Sequence, residues 1–273
     1  MNEQARAEFE ENARRMEAYQ QEFAGYNRRK RKFFQAYFKY YHRLEVLGRE
    51  NLPPGPALLA ANHSGGLDLD IVALSYCCLP DRDIHVLIVE SWHYLRSIWG
   101  RYYIGGGIPL WTQGGIRYEY IDPYLEPGGE HYPGLVAIYP EGNSGTFAER
   151  RLLHRFFSGV VRLAVHYQVP IVPVAQVGFH QACPILKELP RDHEPADPIA
   201  PLFAFPVKLK VEFGKPFTLE NYYRRNLTRP EENWIANEVV RPKVAELLAH
   251  HRRVAMQEVK VEMKEPASVR GEG

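Results

Sequence analysis

The sequence has little cysteine and no long hydrophobic run. Only three of its 273 residues are cysteine, and two of these, Cys77 and Cys78, are adjacent. This arrangement excludes a disulfide framework and is typical of a reducing compartment. No run of about 18 apolar residues occurs, so we expect no membrane-spanning helix. The polar residues 1–11 contain no apolar segment of the kind found in signal peptides, so none is expected.

Charge of one sign is not in excess either. The chain has 34 Lys and Arg residues against 33 Asp and Glu, which gives a net charge of +1. This balance argues against a general nucleic-acid binder, and we expect no nucleic-acid partner. Hydrophobic residues make up 45% of the sequence and charged residues 25%, which excludes a disordered chain. The length suits one large domain, with or without an arm.

Residues 1–43 are predicted to form an N-terminal amphipathic helical arm that is both basic and aromatic. The segment 2–23 is rich in good helix formers. A second helix, over residues 27–41, has no acidic residue, and its aromatic residues Phe33, Tyr37 and Tyr41 recur at every fourth position. A basic face beside an aromatic face is typical of a helix in a membrane interface. The alternative is a helix that packs its aromatic rings on the domain core.

From residue 44 onward, short apolar runs alternate with segments of helical periodicity. Strands are predicted near residues 44–48, 57–61, 85–89, 108–110, 135–139, 171–177 and 208–213, and helices near 68–79, 92–102, 156–166 and 234–253. This alternation predicts an α/β fold with a mostly parallel central sheet and helices on both faces. The domain spans 44–257, with a proline-rich extended loop at 184–206, and residues 258–273 form a polar tail.

The loop after the predicted strand 57–61 places a histidine close to a carboxylate. His63 is followed by Ser64-Gly65-Gly66, and Asp68 begins the next helix. This spacing allows Asp68 to fold back onto the His63 ring, which would fix the tautomer and make His63 a base for a hydroxyl proton. The alternative is that Asp68 only caps the helix and His63 is a hydrogen-bonded loop residue.

A second loop follows the predicted strand 135–139. Here Glu141 and Gly142 end a buried strand, where a carboxylate can bind a substrate hydroxyl and backbone amides can hold an anion. On its own this is an unspecific signal, because Pro-Glu-Gly is a common turn.

The motifs occur in an order that is itself informative. They are Asn62-His63-x4-Asp68, Tyr139-Pro-Glu-Gly-Asn-Ser144 and Val169-Pro-Ile-Val-Pro-Val174, with lesser matches at Phe157-Ser-Gly159 and Val211-Glu-Phe-Gly-Lys-Pro216. This ordered set resembles the phospholipid/glycerol acyltransferase superfamily, also called lysophospholipid acyltransferases. The resemblance covers about residues 44–220 and implies a glycerolipid acyltransferase-like fold preceded by the helical arm.

The resemblance implies an O-acyltransferase. In the family, the His is the general base for the acceptor hydroxyl and the Asp orients it, which here implies His63 and Asp68. The hydroxyl attacks the thioester of acyl-CoA or acyl-carrier protein, and no covalent acyl-enzyme is needed. The positions that correspond to substrate-binding motifs are Glu141, Gly142, Asn143, Ser144, Gly107 and Pro109.

The same resemblance sets the expected partners. The acyl thioester is a co-substrate, and neither a cofactor nor a metal is implied. A membrane lipid is the acceptor, so the protein is expected to be cytoplasmic and peripheral on the cytoplasmic face of a membrane. This context favours the interfacial interpretation of the basic, aromatic helix.

Two departures from the family pattern concern the acceptor head group. The family's Glu-Gly-Thr-Arg-Ser motif holds phosphate with its Arg, but Ser144 stands at that position, and the segment 107–112 has no cation. Each charge-assisted contact to phosphate is worth roughly 1.5–3 kcal/mol. The sequence therefore favours a neutral or masked head, such as diacylglycerol, unless Arg117, Arg150 or Arg151 substitutes.

Two other functions remain open from the sequence. The first is a lipid ester or thioester hydrolase, in which His63 activates water or Ser64. The second is a lipid-binding protein that has the fold without the activity. The presence of both His63 and Asp68 argues against the second function.

Overall fold

The computed structural model describes residues 3–22, 24–79, 81–89, 107–110, 116–189, 197–223 and 225–258. The predicted helix 92–102 lies outside this part of the chain, as does nearly all of the predicted tail. Among the described helices, none is long and apolar enough to cross a bilayer.

The strands are β1 (Glu45–Leu47), β2 (Ala57–Ala61), β3 (Ile84–Val89), β4 (Gly107–Leu110), β5 (Leu135–Ile138), β6 (Leu152–Leu153), β7 (Ile171–Val177), β8 (Lys187–Leu189), β9 (Asp197–Ile199), β10 (Lys210–Phe213) and β11 (Ala255–Met256). The α-helices span Glu3–Glu22, Ala24–Ala36, Leu69–Cys77, Asp122–Leu125, Gly159–Tyr167, Phe179–Ala182, Arg229–Trp234 and Arg241–Ala249. Wider helical turns at Tyr37–Tyr41 and Ile235–Val240 extend two of these helices, and short 3₁₀ turns occur at Arg49–Asn51, Tyr118–Tyr120, Phe147–Glu149 and Glu220–Tyr222.

Seven strands form the central sheet in the order β1-β10-β7-β2-β5-β3-β4. Every neighbouring pair is parallel except β10 and β7. The central strand β2 is buried at all five positions, as expected for a parallel strand covered on both faces. The predicted mostly parallel α/β sheet is therefore confirmed.

Helices cover both faces of the sheet, as predicted. One buried cluster joins alternate residues of the strands to helix Leu69–Cys77, and the other joins the opposite side chains to helices Gly159–Tyr167 and Arg241–Ala249. Leu58 and Leu59 show this alternation, because they are adjacent in β2 and belong to different clusters. The sheet therefore divides the interior into two apolar layers.

The N-terminal arm packs on the domain. Phe9 is buried against the edge of the Tyr120 ring, with 5.9 Å between ring centroids. Phe34 and Phe38 belong to the core on one face of the sheet, but Phe33 points to solvent. The packing alternative thus holds for Phe34 and Phe38, whereas the membrane-interface interpretation stays a prediction for the exposed ring of Phe33.

Two local predictions differ from the structure. The second helix, predicted to begin at residue 27, begins at Ala24 and includes Gly25. The proline-rich segment contains the antiparallel pair β8 and β9 instead of only an extended loop. Pro198 is tolerated there because a two-stranded sheet has free edges, where a missing backbone N–H breaks no ladder.

One edge of the sheet collects the chemically informative loops. β2, β5 and β7 are parallel, so their carboxyl ends meet at this edge. β10 runs against β7, with Lys210 opposite Val177, and β1 is parallel to β10. The amino ends of β1 and β10 therefore lie at the same edge as the carboxyl end of β2.

Candidate active site

Asn62 fixes the start of the loop that follows β2. Its side-chain Nδ2 donates to the carbonyl of Gln176 at 3.1 Å, and its Oδ1 accepts the Gln176 N–H at 2.7 Å. Both residues are buried. This reciprocal pair continues the contact between β2 and β7 past the end of β2, so the next residue, His63, leaves the sheet in a defined direction.

His63 contacts a fully buried carboxylate. Its Nδ1 lies 2.6 Å from Oδ2 of Asp70, which also accepts the backbone N–H of Ser64 at 2.8 Å. The other oxygen of Asp70 accepts the N–H of Ile71 at 2.9 Å. The His63 side chain is 15% exposed and that of Asp70 is not exposed. The carboxylate therefore fixes the ring and leaves Nε2 as the nitrogen available to a substrate.

The partner of His63 is therefore Asp70, and the expectation that Asp68 would fold back onto the ring is wrong. The reason is the shape of the turn, in which Gly65, Leu67 and Asp68 all have positive φ angles of 84°, 57° and 47°. These left-handed residues bring the first turn of helix Leu69–Cys77 under the ring. Asp68 precedes that helix without a side-chain capping hydrogen bond. Its charge still helps to raise the pKa of His63.

Asp70 could have been found from the sequence. It is the single charged residue in the apolar segment Leu69–Leu74, and a carboxylate in such a segment must be hydrogen-bonded or paired. Gly65 is also required by the geometry, because a Cβ at this position would lie 2.5 Å from the carbonyl oxygen of Phe179. The turn is thus packed closely against the end of β7.

The electrostatics of the site favour a charged His63. Burial alone lowers the pKa of this imidazole, but the charge of Asp70 and the hydrogen bond to it outweigh burial and raise the pKa to about 9. A basic ring of this kind accepts a proton strongly, and its neutral form increases as the pH rises towards 9.

Glu141 is buried and joins two loops. Its Oε1 accepts the backbone N–H of His63 at 2.9 Å, and its Oε2 accepts that of His154 at 2.8 Å. Burial raises the pKa of Glu141 to about 7, although both backbone hydrogen bonds act against this increase. The predicted contact between Glu141 and an acceptor hydroxyl is untested, and the observed contacts give it a structural role in holding the His63 backbone.

The residues after Glu141 form a tight turn. Gly142 has a φ of 73°, and a Cβ there would lie 2.8 Å from the ring of Phe157. Asn143 Oδ1 accepts the backbone N–H of Ser144 at 3.0 Å, and Ser144 is buried. The turn therefore depends on glycine and has a small side chain where the family has an arginine.

Gly107 and Pro109 lie on the edge strand β4, which pairs only with β3 in the described part of the chain. β5 and β3 lie between β4 and β2, so at ~4.8 Å per strand these residues are about 14 Å from β2. The structure therefore does not bring them next to His63. The register sets Gly107 level with Leu59, in the middle of β2.

Of the three arginines proposed as phosphate ligands, Arg117 and Arg150 have other partners, and Arg151 is exposed. Arg117 donates to Glu119 at 2.6 Å, and Arg150 donates to the carbonyl of Phe147 at 2.9 Å. Two other arginines, missed by the sequence analysis, interact electrostatically with Glu141. They are Arg241 and Arg252, and burial lowers the pKa of both while the charge of Glu141 acts against that decrease.

Several buried polar atoms near His63 have no hydrogen-bond partner among the described residues. They are Ser64 Oγ, His154 Nε2, His180 Nδ1, Arg252 Nε, and Nε and Nη1 of Arg241. Burial and the charge of Arg252 lower the pKa of His180 to about 4, so this imidazole is neutral. The N–H of Gly66 donates to the carbonyl of Cys183 at 2.8 Å, so this donor is not available to a substrate oxygen.

One set of side chains outside this site has the spacing of metal ligands. The ligand atoms of Asp122, Glu126 and His166 all lie within 4.8 Å of one another. Oδ1 of Asp122 accepts the hydroxyl of Tyr167 at 2.6 Å, and Glu126 and His166 are exposed. Exposed acidic groups often approach one another without an ion, so this geometry alone does not make a metal site.

Parts of the chain are similar to known proteins. Residues 43–177 match a family model described as Acyltransferase, and this range includes His63, Asp70 and Glu141. An uncharacterised protein of Mycobacterium leprae is 29% identical over 240 residues, which cover 80% of this chain and 62% of that protein. An uncharacterised protein of Mycobacterium tuberculosis is 29% identical over 234 residues, covering 78% and 62%.

The chain thus spans about 62% of the length of the curated relatives that it matches. Among solved structures, it is similar to the 1-acyl-sn-glycerophosphate (LPA) acyltransferase PlsC from Thermotoga maritima. The TM-score is 0.47 and the identity 18%, with 82% of this chain and 77% of that chain covered.

Proposed function

We propose that the chain is an acyltransferase of the family whose model matches residues 43–177, and that it transfers a fatty acyl group from a thioester to a glycerolipid hydroxyl. The donor is acyl-CoA or acyl-carrier protein, and the acceptor is a lysophospholipid or another glycerolipid. The observation that carries this proposal is the 2.6 Å contact between His63 and the buried Asp70, at the carboxyl end of the central strand.

In the proposed reaction, His63 is the general base. Its Nε2 removes the proton from the acceptor hydroxyl while Asp70 stabilises the resulting imidazolium. The acceptor oxygen attacks the thioester carbonyl, the carbon–sulfur bond breaks, and the departing sulfur takes the proton from His63. The products are an ester and a free thiol, so protons and electrons balance without a covalent acyl-enzyme.

For the acceptor, we propose a neutral or masked head group. Ser144 replaces the cation that would hold phosphate in this loop, and Arg117 and Arg150 have other partners. As the alternative cation we favour Arg252 over the exposed Arg151, because Glu141 influences the pKa of Arg252 and the Arg252 Nε has no partner among the described residues. A phosphate-bearing acceptor would therefore depend on Arg252, whereas a neutral acceptor would not.

We further propose that the enzyme works on the cytoplasmic face of a membrane. Glycerolipid acceptors reside in bilayers, and the second N-terminal helix has no acidic residue. Each Lys or Arg close to an anionic leaflet contributes on the order of 1 kcal/mol to membrane binding. The three cysteines are free, which fits a reducing compartment.

The experiment is an acceptor panel with one labelled acyl-CoA, analysed by lipid mass spectrometry. We expect an ester product that requires both the acceptor and His63, with diacylglycerol preferred to lysophosphatidate. Free fatty acid formed without an acceptor-dependent ester would instead identify a hydrolase. Rapid acylation of lysophosphatidate that Arg252→Gln abolishes, but Arg253→Gln does not, would contradict the neutral-head assignment and retain the acyl transfer.

A further inference from the structure

The loop of residues 200–207 exposes large apolar side chains next to the second N-terminal helix, although the two segments are far apart in sequence. Leu202 is 93% exposed and Phe203 is 61% exposed, and Phe205 packs edge-on against Phe203 with 5.2 Å between ring centroids. Three neighbouring large apolar residues exposed on one loop are unusual for a surface that only faces water.

This loop is attached to the end of the basic, aromatic helix. The hydroxyl of Tyr41 donates to the carbonyl of Ala204 at 2.8 Å, and Arg43 donates to the carbonyl of Pro206 at 2.8 Å. The helix has its own exposed side chains, among which Phe33 is 64% and Tyr40 is 73% exposed. The two segments therefore form one surface, although more than 150 residues of sequence separate them.

Cations lie along the helix side of this apolar surface. Arg29, Lys32 and Lys39 on the helix are exposed, as is Arg43 after it. Residues 24–43 contain seven Lys or Arg residues, and neither this segment nor residues 198–209 contains Asp or Glu. An apolar centre bordered by cations is complementary to an anionic lipid leaflet, whose headgroups attract the cations and whose acyl region accepts the apolar side chains.

The sheet topology places this surface at the edge of the sheet where β2 ends and His63 follows. β1 follows the helix and β10 follows the loop, and both strands begin at the edge where β2 ends. Before Leu202, the loop contacts the turn of residues 63–70, the catalytic turn. A Cβ on Gly66 in this turn would lie only 2.7 Å from the Cβ of Ala200. A lipid held by this surface is thus close to His63.

We propose that Leu202, Phe203 and Phe205 form a membrane-insertion loop. Together with the exposed helix residues Arg29, Lys32, Phe33, Lys39, Tyr40 and Tyr41, they form a docking face for an anionic bilayer. This inference rests on the proposed function, because a docking face of this kind would bring the active site to a lipid acceptor in the membrane. The loop supplies insertion into the acyl region, and the helix supplies attraction to the headgroups.

The test measures partition of the full chain onto vesicles of phosphatidylcholine with or without phosphatidylserine. Leu202→Asp/Phe203→Asp is expected to lower the partition coefficient about tenfold or more on both vesicles, because charge opposes insertion. Both positions are exposed, so the variant should fold, which circular dichroism checks. Met256→Asp changes another exposed apolar residue, on strand β11 and not among the residues of the docking face, and should leave partition unchanged.

A second measurement reports how deeply the loop enters the acyl region of the bilayer. Phe203→Trp should show fluorescence that brominated acyl chains quench above the wild-type background, whereas Met256→Trp should not. Unchanged partition of the double Asp variant, or no added quenching in Phe203→Trp, would overturn the proposal. So would a dimer in sedimentation that the double Asp variant dissociates, since a second copy of the chain would then cover this surface. Partition needs no catalysis, so a failure of the proposed acyl transfer is observed separately.

Discussion

The catalytic turn and its partner Glu141 lie at the same edge of the sheet as the docking face. The turn buries polar groups, whereas the docking face exposes apolar groups. Asp70 and Glu141 are buried, and each of their carboxylate oxygens accepts a backbone N–H. On the docking face, Leu202 and Phe203 are open to solvent. Buried polar groups need fixed partners inside the protein, whereas exposed apolar groups indicate a partner outside it.

The largest expected effect comes from removing the base in the catalytic turn. His63→Ala should lower acyl transfer by roughly 10²–10⁴-fold, because no other imidazole in the described part of the chain contacts Asp70. Initial rates with labelled acyl-CoA measure the change, and His250→Ala, at an exposed helix end, is the control. Retained activity in His63→Ala would remove the proposed mechanism.

The next effect distinguishes the two acidic residues of the turn. Asp70→Asn should lower the rate by roughly 100-fold, because the ring loses its stabilising charge and its fixed orientation. Asp68→Asn should change the rate by about threefold or less, since the charge of Asp68 raises the pKa of His63 less than that of Asp70 does and Asp70 holds the ring. A larger loss in Asp68→Asn than in Asp70→Asn would reverse the assignment made from the structure.

The pH profile provides a test that does not depend on the maximal rate. The pKa of His63 is raised to about 9, so the ring is mostly protonated at pH 7 and gains its neutral, basic form as the pH rises. We expect kcat/KM to increase between about pH 7 and pH 9. Asp70→Asn removes the negative charge that raises this pKa, so the rising limb should move to lower pH. A limb that does not move would show that another group titrates.

A smaller effect concerns stability. Glu141→Ala leaves two backbone N–H groups without their acceptor, and each loss costs about 1–3 kcal/mol when the group is buried. Urea denaturation should therefore show a free energy of unfolding lower by about 2–5 kcal/mol. Glu50→Ala, at an exposed position, should leave it unchanged. An equally stable Glu141→Ala protein would mean that the carboxylate does not hold the two loops together.

The smallest effect concerns the charges of the docking face. Arg29→Gln/Lys32→Gln should reduce the preference for phosphatidylserine vesicles by about thirtyfold, since each cation contributes on the order of 1 kcal/mol. About 0.5 M NaCl should produce the same loss in the wild type by screening. Partition onto phosphatidylcholine should stay unchanged in both cases. If salt weakens binding to both vesicles equally, the cations are not responsible for the preference.

The sequence predicted the fold well where the signal was local. The fully apolar run Ala57–Ala61 and the largely apolar run Ile171–Val177 are strands. Parallel strands that are covered on both faces consist mostly of apolar residues, so the composition of these runs predicts them. The sequence also identified His63, since it follows such a strand. The spacing alone led to Asp68 instead of Asp70, because it does not reveal the left-handed turn at Leu67 and Asp68, and the signal that could have found Asp70 was its lone charge in an apolar segment.

Non-local features were also beyond the reach of the sequence. The approach of Arg252 to Glu141 depends on the parallel pairing of β11 with β6, two short strands about a hundred residues apart. The link from Tyr41 to Ala204 depends on the antiparallel placement of β10. Neither contact leaves a periodic pattern in the sequence, because each is made by single residues in irregular segments.

The contacts of the N-terminal arm mean that it is not a detachable anchor. Phe34 and Phe38 are core residues, and the carbonyl of His42 accepts the N–H of Leu209 just before β10. Loss of each buried phenylalanine would cost about 3–5 kcal/mol, so truncation before residue 44 would uncover a cavity and loosen the edge of the sheet. A shortened form made to improve solubility would therefore be expected to aggregate, and point substitutions are the sounder route to a protein that stays in solution.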